Sequence, residues 1–274
     1  MSNVFAWIRG SAAGCVLMIA ASLVLAGCGS DDDNKNYVEQ PVEVLYNRAL
    51  DDLGAMNYKA AAKGFEEVDR QHPYSVWATK AQIMAAFAYY QSNKYDDAIV
   101  ALDRFIQLHP GHRDIPYAYY LKALCYYEQI SDVGRDQRMT QQALDALAEV
   151  VKRFPESPYA RDSRLKVELA IDHLAGKEMA IGRYYQSNQQ YVGAINRYRV
   201  VIERYQTTTH VPEALHRLVE TYLALGVKQE AKETAAVLGY NFPGSEWYQD
   251  SYFLMTGEGE RPPDEKRGWF FGLF

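Results

Sequence analysis

A helix–turn–helix pattern recurs along this 274-residue chain and constrains its fold more than any other feature. Each copy has a small residue in its second helix, with apolar residues four and seven positions later on the same helical face. The small residue lets the partner helix approach closely. In four of the five copies a proline stands twelve residues after the small residue and ends the helix. The small residues are Ala61, Ala98, Ala143, Ala194 and Ala231, and the prolines are Pro73, Pro110, Pro155 and Pro243.

Successive small residues lie 37, 45, 51 and 37 positions apart, near the 34-residue period of tetratricopeptide repeats. We therefore predict an all-α fold, a tetratricopeptide-repeat superhelix of about five helix–turn–helix repeats. A single helix pair cannot bury its apolar face, so the pairs must stack into a solenoid with an extended concave surface. Such a surface favours binding over catalysis.

The amino-terminal part differs from the repeats. Residues 1–27 carry Arg9 and an apolar run from Ala12 to Leu25, which is typical of a secretory signal peptide and too short for a membrane span. Residues 28–43 are polar and predict a tether. Residues 44–158 would hold repeats 1–3.

The carboxy-terminal part is predicted to begin with a long helix. Residues 159–256 contain this connecting helix, from Tyr159 to Gln186, and repeats 4 and 5. Residues 257–274 predict a flexible tail with an aromatic end, Trp269 to Phe274. Two interpretations of that end are open: contact with a partner or the membrane interface, and folding back onto the last helix.

The four residues from Leu25 to Cys28 resemble the lipobox of bacterial lipoproteins. The resemblance implies acylation of Cys28, and more than one acyl chain makes anchoring stable. An ordinary signal peptide that ends near a cysteine by accident is the alternative. Gly29, in place of an acidic residue, favours delivery to the outer membrane by the same resemblance.

Several function classes lack support in the sequence. The net charge is −6 and no long Lys/Arg run appears, so nucleic-acid binding is not indicated. We find no phosphate-binding glycine loop and no catalytic cluster. His109 and His112 form the one close histidine pair, but they flank a turn without further ligands. We therefore predict no enzyme activity, no metal and no cofactor apart from the lipid on Cys28.

Tyrosine is abundant, with 22 residues, and suits peptide recognition because it joins a rigid apolar ring to a hydroxyl. Counting from the small residues of the first helices places six residues on the side that such arrays turn inward. These candidate peptide-binding residues are Tyr46, Lys80, Tyr90, Tyr117, Tyr120 and Tyr127. The alternative is that the rings pack between neighbouring repeats.

Arg197 and Arg204 lie seven positions apart in the fourth repeat and share a helical face. Docking of a partner protein is one interpretation. A solvated helix surface is the other.

The combination of lipobox, tether, five degenerate repeats and a long connecting helix resembles the BamD (ComL) family. The resemblance covers about residues 25–243 and is carried most clearly by Ala88 to Tyr90 and by Leu102 to His112, which continue to Ile115 and Tyr117. The Arg135-Asp136-Gln137 loop and Asn196-Arg197 fit as well, whereas the aromatic tail departs from the family pattern.

This resemblance implies a lipid-anchored adaptor at the outer membrane, facing the periplasm. Its amino-terminal repeats would bind unfolded β-barrel precursors, and its carboxy-terminal repeats would dock the BamA barrel component and other assembly lipoproteins. A tetratricopeptide lipoprotein that supports secretin, pilus or cell-wall assembly is the alternative function. A cell-wall hydrolase is a third and more distant one.

Overall fold

Eleven α-helices account for the regular structure of residues 39–257, the part of the chain that the computed structural model describes. The chain divides into two units, Met1–Pro41 and Val42–Phe274, and every helix described here belongs to the second. The predicted signal peptide, Cys28, most of the tether and the aromatic tail lie outside the described residues.

The first six helices form three antiparallel pairs of the predicted kind. They are α1 (Val42–Gly54) with α2 (Tyr58–Gln71), α3 (Val76–Gln91) with α4 (Tyr95–Leu108), and α5 (Ile115–Tyr127) with α6 (Arg138–Arg153).

The remaining helices begin with a long one. They are α7 (Pro158–Ser187), α8 (Tyr191–Arg204), α9 (Val211–Ala224), α10 (Lys228–Asn241) and α11 (Glu246–Thr256). The second half of α7 pairs with α8 as repeat 4, α9 pairs with α10 as repeat 5, and α11 packs on both helices of repeat 5.

The residues that define the repeat are the core of each pair. All five small alanines have no exposed surface, and the residues four and seven positions later are buried too, except for half-buried Ala235. The buried partners are Phe65, Val68, Leu102, Phe105, Leu147, Val150, Tyr198, Val201 and Leu238. The predicted all-α repeat fold is therefore confirmed.

The connecting helix is 30 residues long, about 45 Å at 1.5 Å per residue. Gly176 and Gly182 are buried within it. A Cβ added at Gly182 would overlap the ring of Tyr198 on α8, so the glycine permits close approach of the two helices. The cost of a mid-helix glycine, about 1 kcal/mol relative to alanine, is offset by this contact.

Residues 128–137, between the two helices of repeat 3, form an insertion loop that packs on α7. His173 contacts the Ser131 carbonyl oxygen at 2.8 Å through Nε2. Lys177 donates from Nζ to the carbonyl oxygens of Gly134 and Arg135, at 3.0 and 3.2 Å. The insertion thus ties repeat 3 to the middle of the long helix.

First helices of successive repeats also contact one another: α1 meets α3, α3 meets α5, and α5 meets α7. Stacked repeats present such a row of first helices along one face. Side chains from α3, α5 and the start of α7 therefore come together there.

Candidate peptide-binding surface

Five half-buried tyrosines from three helices form a surface that includes four of the six predicted peptide-binding residues. Tyr90 comes from α3, three come from α5, and Tyr159 begins α7. We call this set the tyrosine surface, which consists of Tyr90, Tyr117, Tyr120, Tyr127 and Tyr159.

Tyr159 joins two of the α5 rings. The ring of Tyr120 stacks on it with centroids 5.1 Å apart and planes 24° apart. The ring of Tyr117 lies 5.5 Å from it at a tilt. Aromatic pairs in these ranges attract one another beyond their buried area, so the three rings hold each other in place.

Hydrogen bonds orient the hydroxyls. Tyr120 donates to Asp162 Oδ2 on α7 at 2.6 Å, and Tyr90 donates to Glu128 Oε1 at 3.3 Å. The Tyr90 ring also lies 5.8 Å from that of Tyr95. The half-buried rings keep part of their surface accessible while the hydroxyls are fixed.

The ammonium group of a lysine lies beside the rings. Lys166 Nζ lies 5.5 Å from the centroid of the Tyr127 ring and 2.8 Å from Asp162 Oδ2. A lysine over an aromatic face is attracted by the ring quadrupole. Asp162 therefore binds both Lys166 and the Tyr120 hydroxyl.

Tyr90, Tyr117 and Tyr120 stay protonated at physiological pH. Burial, with smaller contributions from neighbouring groups, raises the pKa of Tyr90 and of Tyr117 to about 12. Burial and then the hydrogen bond to Asp162 raise the pKa of Tyr120 as well. Burial alone would raise the pKa of Asp162, but hydrogen bonds from Lys166 and Tyr120 lower it. The surface offers aromatic faces, hydroxyl groups and an ionised carboxylate, which suit non-covalent recognition of a polypeptide.

Two predicted residues lie elsewhere. Tyr46 is only 8% exposed, and its ring packs 5.4 Å from Phe65 and 4.8 Å from Trp77 in the core of the first repeats. Lys80 is exposed, with its ammonium 5.4 Å from the Trp77 ring. For Tyr46 this is the alternative of packing between repeats, whereas a role of the exposed Lys80 in peptide binding stays a prediction.

Sequence reasoning missed the contribution of α7. Tyr159, Asp162 and Lys166 were treated as part of a connector, although they contact the α5 tyrosines. Their spacing of three and four positions places them on one helical face. That spacing was the available signal, but nothing in it indicated which helix the face would meet.

The predicted docking arginines lie on α8. Arg197 donates from Nη1 to Glu178 Oε2 on α7 at 3.0 Å. This hydrogen bond outweighs partial burial and raises the pKa of Arg197. Arg204 is exposed at the last position of the helix. The two arginines share a face, as predicted, and Arg197 is held by an ion pair rather than fully solvated.

A buried polar network supports this carboxy-terminal part. On α9, Arg217 donates from Nη1 to Glu220 Oε2 at 2.8 Å, and His216 Nε2 lies 3.3 Å from Glu220 Oε1. Arg183 on α7 donates from Nη1 to Glu213 Oε1 at 2.9 Å. The network fixes α9 against the long helix.

Comparison with known proteins decides the family. The family model YfiO, described as an outer membrane lipoprotein, matches residues 38–238. A protein of Caulobacter vibrioides named outer membrane protein assembly factor BamD is 52% identical over 251 residues, which cover 91% of this chain and 82% of that protein. The chain belongs to the BamD family.

Two other relatives with the same name also match most of this chain. The one from Rickettsia prowazekii is 46% identical, covering 87% of this chain and 94% of the relative. The one from Neisseria meningitidis serogroup A is 35% identical, and the match covers 84% of this chain and 91% of the relative. Among solved structures, the TPR2AB domain of yeast Sti1 aligns with a TM-score of 0.41 at 12% identity, covering 78% of this chain and 81% of that one.

Membership of the BamD family confirms the resemblance drawn from the sequence and favours it over a secretin-supporting or cell-wall lipoprotein. Because this is a family of assembly factors, the chain is not an enzyme. Within residues 39–257, no three His, Cys, Asp or Glu side chains are grouped as a metal site. In the same range, no helix is both long and apolar enough to cross a membrane.

Proposed function

We propose that this BamD-family chain is a lipid-anchored adaptor of the outer-membrane β-barrel assembly machine. It faces the periplasm, held by acyl chains on Cys28. Its tyrosine surface binds unfolded barrel precursors, and its carboxy-terminal repeats dock the BamA-type barrel component and neighbouring assembly lipoproteins. The clustering of five half-buried tyrosines on adjoining first helices is the observation that carries the peptide-binding part.

The docking part is supported by Arg197 and Arg204. Both lie on one face of α8, and the Glu178 pair holds Arg197 in a fixed position. Fixed guanidinium groups suit carboxylates on a partner because they donate in a planar fork. The proposed anchoring is supported by the lipobox that ends at Cys28.

The test of precursor binding replaces Tyr90, Tyr120 and Tyr127 together with alanine in the full chain. Fluorescence anisotropy then measures the affinity for a labelled unfolded barrel precursor. We expect at least a tenfold weaker Kd, because each ring contributes on the order of 1 kcal/mol or more at a peptide interface.

Tyr184→Ala is the matched control. Tyr184 is 66% exposed near the end of α7, away from the tyrosine surface, so its loss should leave the affinity unchanged. Circular dichroism must show wild-type helicity and nearly wild-type melting for the triple variant. A triple variant that binds like wild type would refute the proposed binding surface, and one that melts far earlier would assign the rings to the core.

A further inference from the structure

Three exposed apolar side chains lie at the end of repeat 1 where the predicted tether joins it. They are Val44 on α1, Tyr74 in the turn between α2 and α3, and Val76 at the start of α3. Tyr74 is fully exposed, Val76 is 76% exposed and Val44 is 54% exposed. We call these three residues the apolar edge.

The starts of α1 and α3 lie side by side. The ring of Tyr46, in the first half of α1, packs 4.8 Å from that of Trp77, the second residue of α3. The two helices run in the same direction, since each is joined to α2 by a short turn. A Cα–Cβ bond in a helix tilts towards the amino-terminal end, so the side chains of Val44 and Val76 lean towards the same side of the molecule. The turn that carries Tyr74 leads directly into α3, so all three side chains share this edge.

The repeat architecture does not require apolar residues at this edge. The turns after repeats 1, 3 and 5 share the pattern Pro-x-Ser-x, in which the serine is the N-cap of the next helix. The positions of Tyr74 and Val76 are held by Glu156 and Pro158 after repeat 3, and by Gly244 and Glu246 after repeat 5. Among these three turns, only the one beside the tether exposes an aromatic side chain.

The tether connects this edge to the proposed lipid anchor. Cys28 lies fourteen positions before Val42, the first residue of α1. A chain of that length spans at most about 50 Å, so an acylated Cys28 keeps the start of repeat 1 within this distance of the bilayer. Tethering gives a second contact with the same bilayer a high effective concentration. A small apolar contact is then sufficient.

The charges beside the apolar edge are of both signs. Glu39 and Glu43 precede the first of its valines, and Arg48 and Lys80 each follow one of its two valines by one helical turn. An i,i+3 ion pair at the end of α2 is neutral. This balance does not favour a strongly charged partner. A zwitterionic lipid surface matches it, and tyrosine is enriched where such a surface meets water.

We propose that the apolar edge contacts the headgroup region of the lipid bilayer that holds the acyl anchor. The ring of Tyr74 enters the interface and its hydroxyl stays in the hydrated layer, while Val44 and Val76 contact the lipid around it. The contact directs the amino-terminal ends of α1 and α3 towards the membrane. This proposal rests on the lipid anchoring that is part of the proposed function.

A fluorescent label at the edge tests this contact. Val76→Cys is labelled with the environment-sensitive fluorophore NBD in the full acylated chain, and Cys125 is buried and does not compete for the label. The protein is reconstituted into liposomes of phosphatidylethanolamine and phosphatidylcholine, with and without nitroxide-bearing lipids. Met56→Cys is the matched control, because Met56 is 72% exposed in the turn at the opposite end of α1. We expect nitroxide lipids to reduce the emission at position 76 by about half and to leave that at position 56 unchanged.

Tyr74→Glu, combined with the label at position 76, then checks the role of the ring. Repeat 3 has a glutamate at this position of its turn, so the variant should fold. We expect the quenching to be lost while the protein still floats with the liposomes. Equal quenching at positions 56 and 76, or quenching that Tyr74→Glu leaves unchanged, would overturn the proposal.

Two further outcomes would also overturn it. A blue-shifted emission without quenching by the nitroxide lipids would mean that a second copy of the chain covers the apolar edge. Wild-type protein that fails to float with the liposomes would refute the lipid anchor itself, and the membrane contact with it. Flotation therefore separates a failure of the proposed anchoring from a failure of this inference alone.

Discussion

The turn between the two helices of a repeat places one residue in the left-handed backbone region. In four repeats this residue stands five positions before the small alanine: Met56, Asn93, Gln189 and Gly226, with φ of 60°, 58°, 59° and 78°. Glycine adopts this conformation freely, whereas a residue with a Cβ does so at a cost of roughly 1–2 kcal/mol. Asparagine is the most tolerant of the other three.

Met56→Gly should therefore stabilise the protein by up to about 1 kcal/mol, since relief of backbone strain outweighs the added freedom of the unfolded chain. Met56 is largely exposed, so little packing is lost. The converse change, Gly226→Ala, should destabilise by about 1 kcal/mol. A Cβ at Gly226 meets nothing within 4 Å, so that cost would be purely conformational. Urea unfolding measures the free energy of unfolding of both variants. Changes of the same sign would contradict the explanation by backbone strain.

Glu220 is a second residue whose environment makes a stability prediction. Burial would raise its pKa, but the His216 hydrogen bond and the Arg217 charge lower it to about 2. A carboxylate with a folded-state pKa below its unfolded value of 4.5 adds stability above pH 4.5. That contribution is lost as the pH falls through 4.5 towards 2.

We predict that wild-type protein is more stable than Glu220→Gln at pH 7 by an amount on the order of 3 kcal/mol. The gap should shrink steadily between pH 4.5 and pH 2. Urea unfolding of both proteins at several pH values measures it. A gap that stays constant over that range would mean that Glu220 is not held ionised by the network.

Single-residue roles were only partly predictable. The sequence placed Tyr46 and Tyr90 in the same inward-facing set, yet Tyr46 is in the core and Tyr90 is half-buried. Helical spacing gives the face of a helix but not the size of the neighbour that meets it. Here Trp77 and Phe65 enclose Tyr46.

At the scale of elements, α7 serves two repeats. Its first half packs against α5 and α6 and supplies Tyr159, Asp162 and Lys166 to the tyrosine surface. Its second half is the first helix of repeat 4. The insertion loop of repeat 3 binds the middle of α7 through His173 and Lys177. The helix is thus a structural link between the two proposed binding regions.

Gly182→Ala should destabilise the α7–α8 pair by about 1–3 kcal/mol, despite the higher helix propensity of alanine, because the new methyl overlaps the buried Tyr198 ring. Thermal melting measures the change. Gly54→Ala is the control: a Cβ there meets nothing within 4 Å, so it should be neutral or stabilising. A neutral Gly182→Ala would show that the helices can separate without cost.

Element boundaries followed well from the sequence. The small-residue and proline pattern predicted the second helices, and the connecting helix predicted from Tyr159 to Gln186 is observed as Pro158–Ser187. The docking of the insertion loop could not be foreseen, since its bonds to α7 use backbone carbonyls. Carbonyl acceptors carry no sequence signature.

Across the whole described fold, the tyrosine surface and the docking arginines lie on different repeats. The tyrosine surface uses α3, α5 and the start of α7, whereas the arginines of α8 belong to repeat 4. A repeat array is stabilised by contacts between neighbouring repeats. Substitutions at exposed positions in one region should therefore leave the other region folded. Precursor binding and partner docking should therefore be separable by mutation.

Arg197→Glu tests that separation. We predict that it reduces co-purification of the BamA-type component several-fold, since the new carboxylate repels the partner's acidic groups. Precursor affinity should stay at the wild-type level. Arg199→Glu is the control, because Arg199 is exposed on α8 and paired with Glu203 of the same helix. Equal losses for both substitutions would argue against a specific role of Arg197.

The adaptor function is tested most directly by the rate at which an unfolded barrel precursor folds into liposomes that contain the complete assembly machine. With the Tyr90, Tyr120 and Tyr127 triple alanine variant, the rate should fall at least tenfold at sub-saturating precursor, while the variant stays bound to the machine. A wild-type rate with that variant would contradict the proposal that the tyrosine surface receives the precursor.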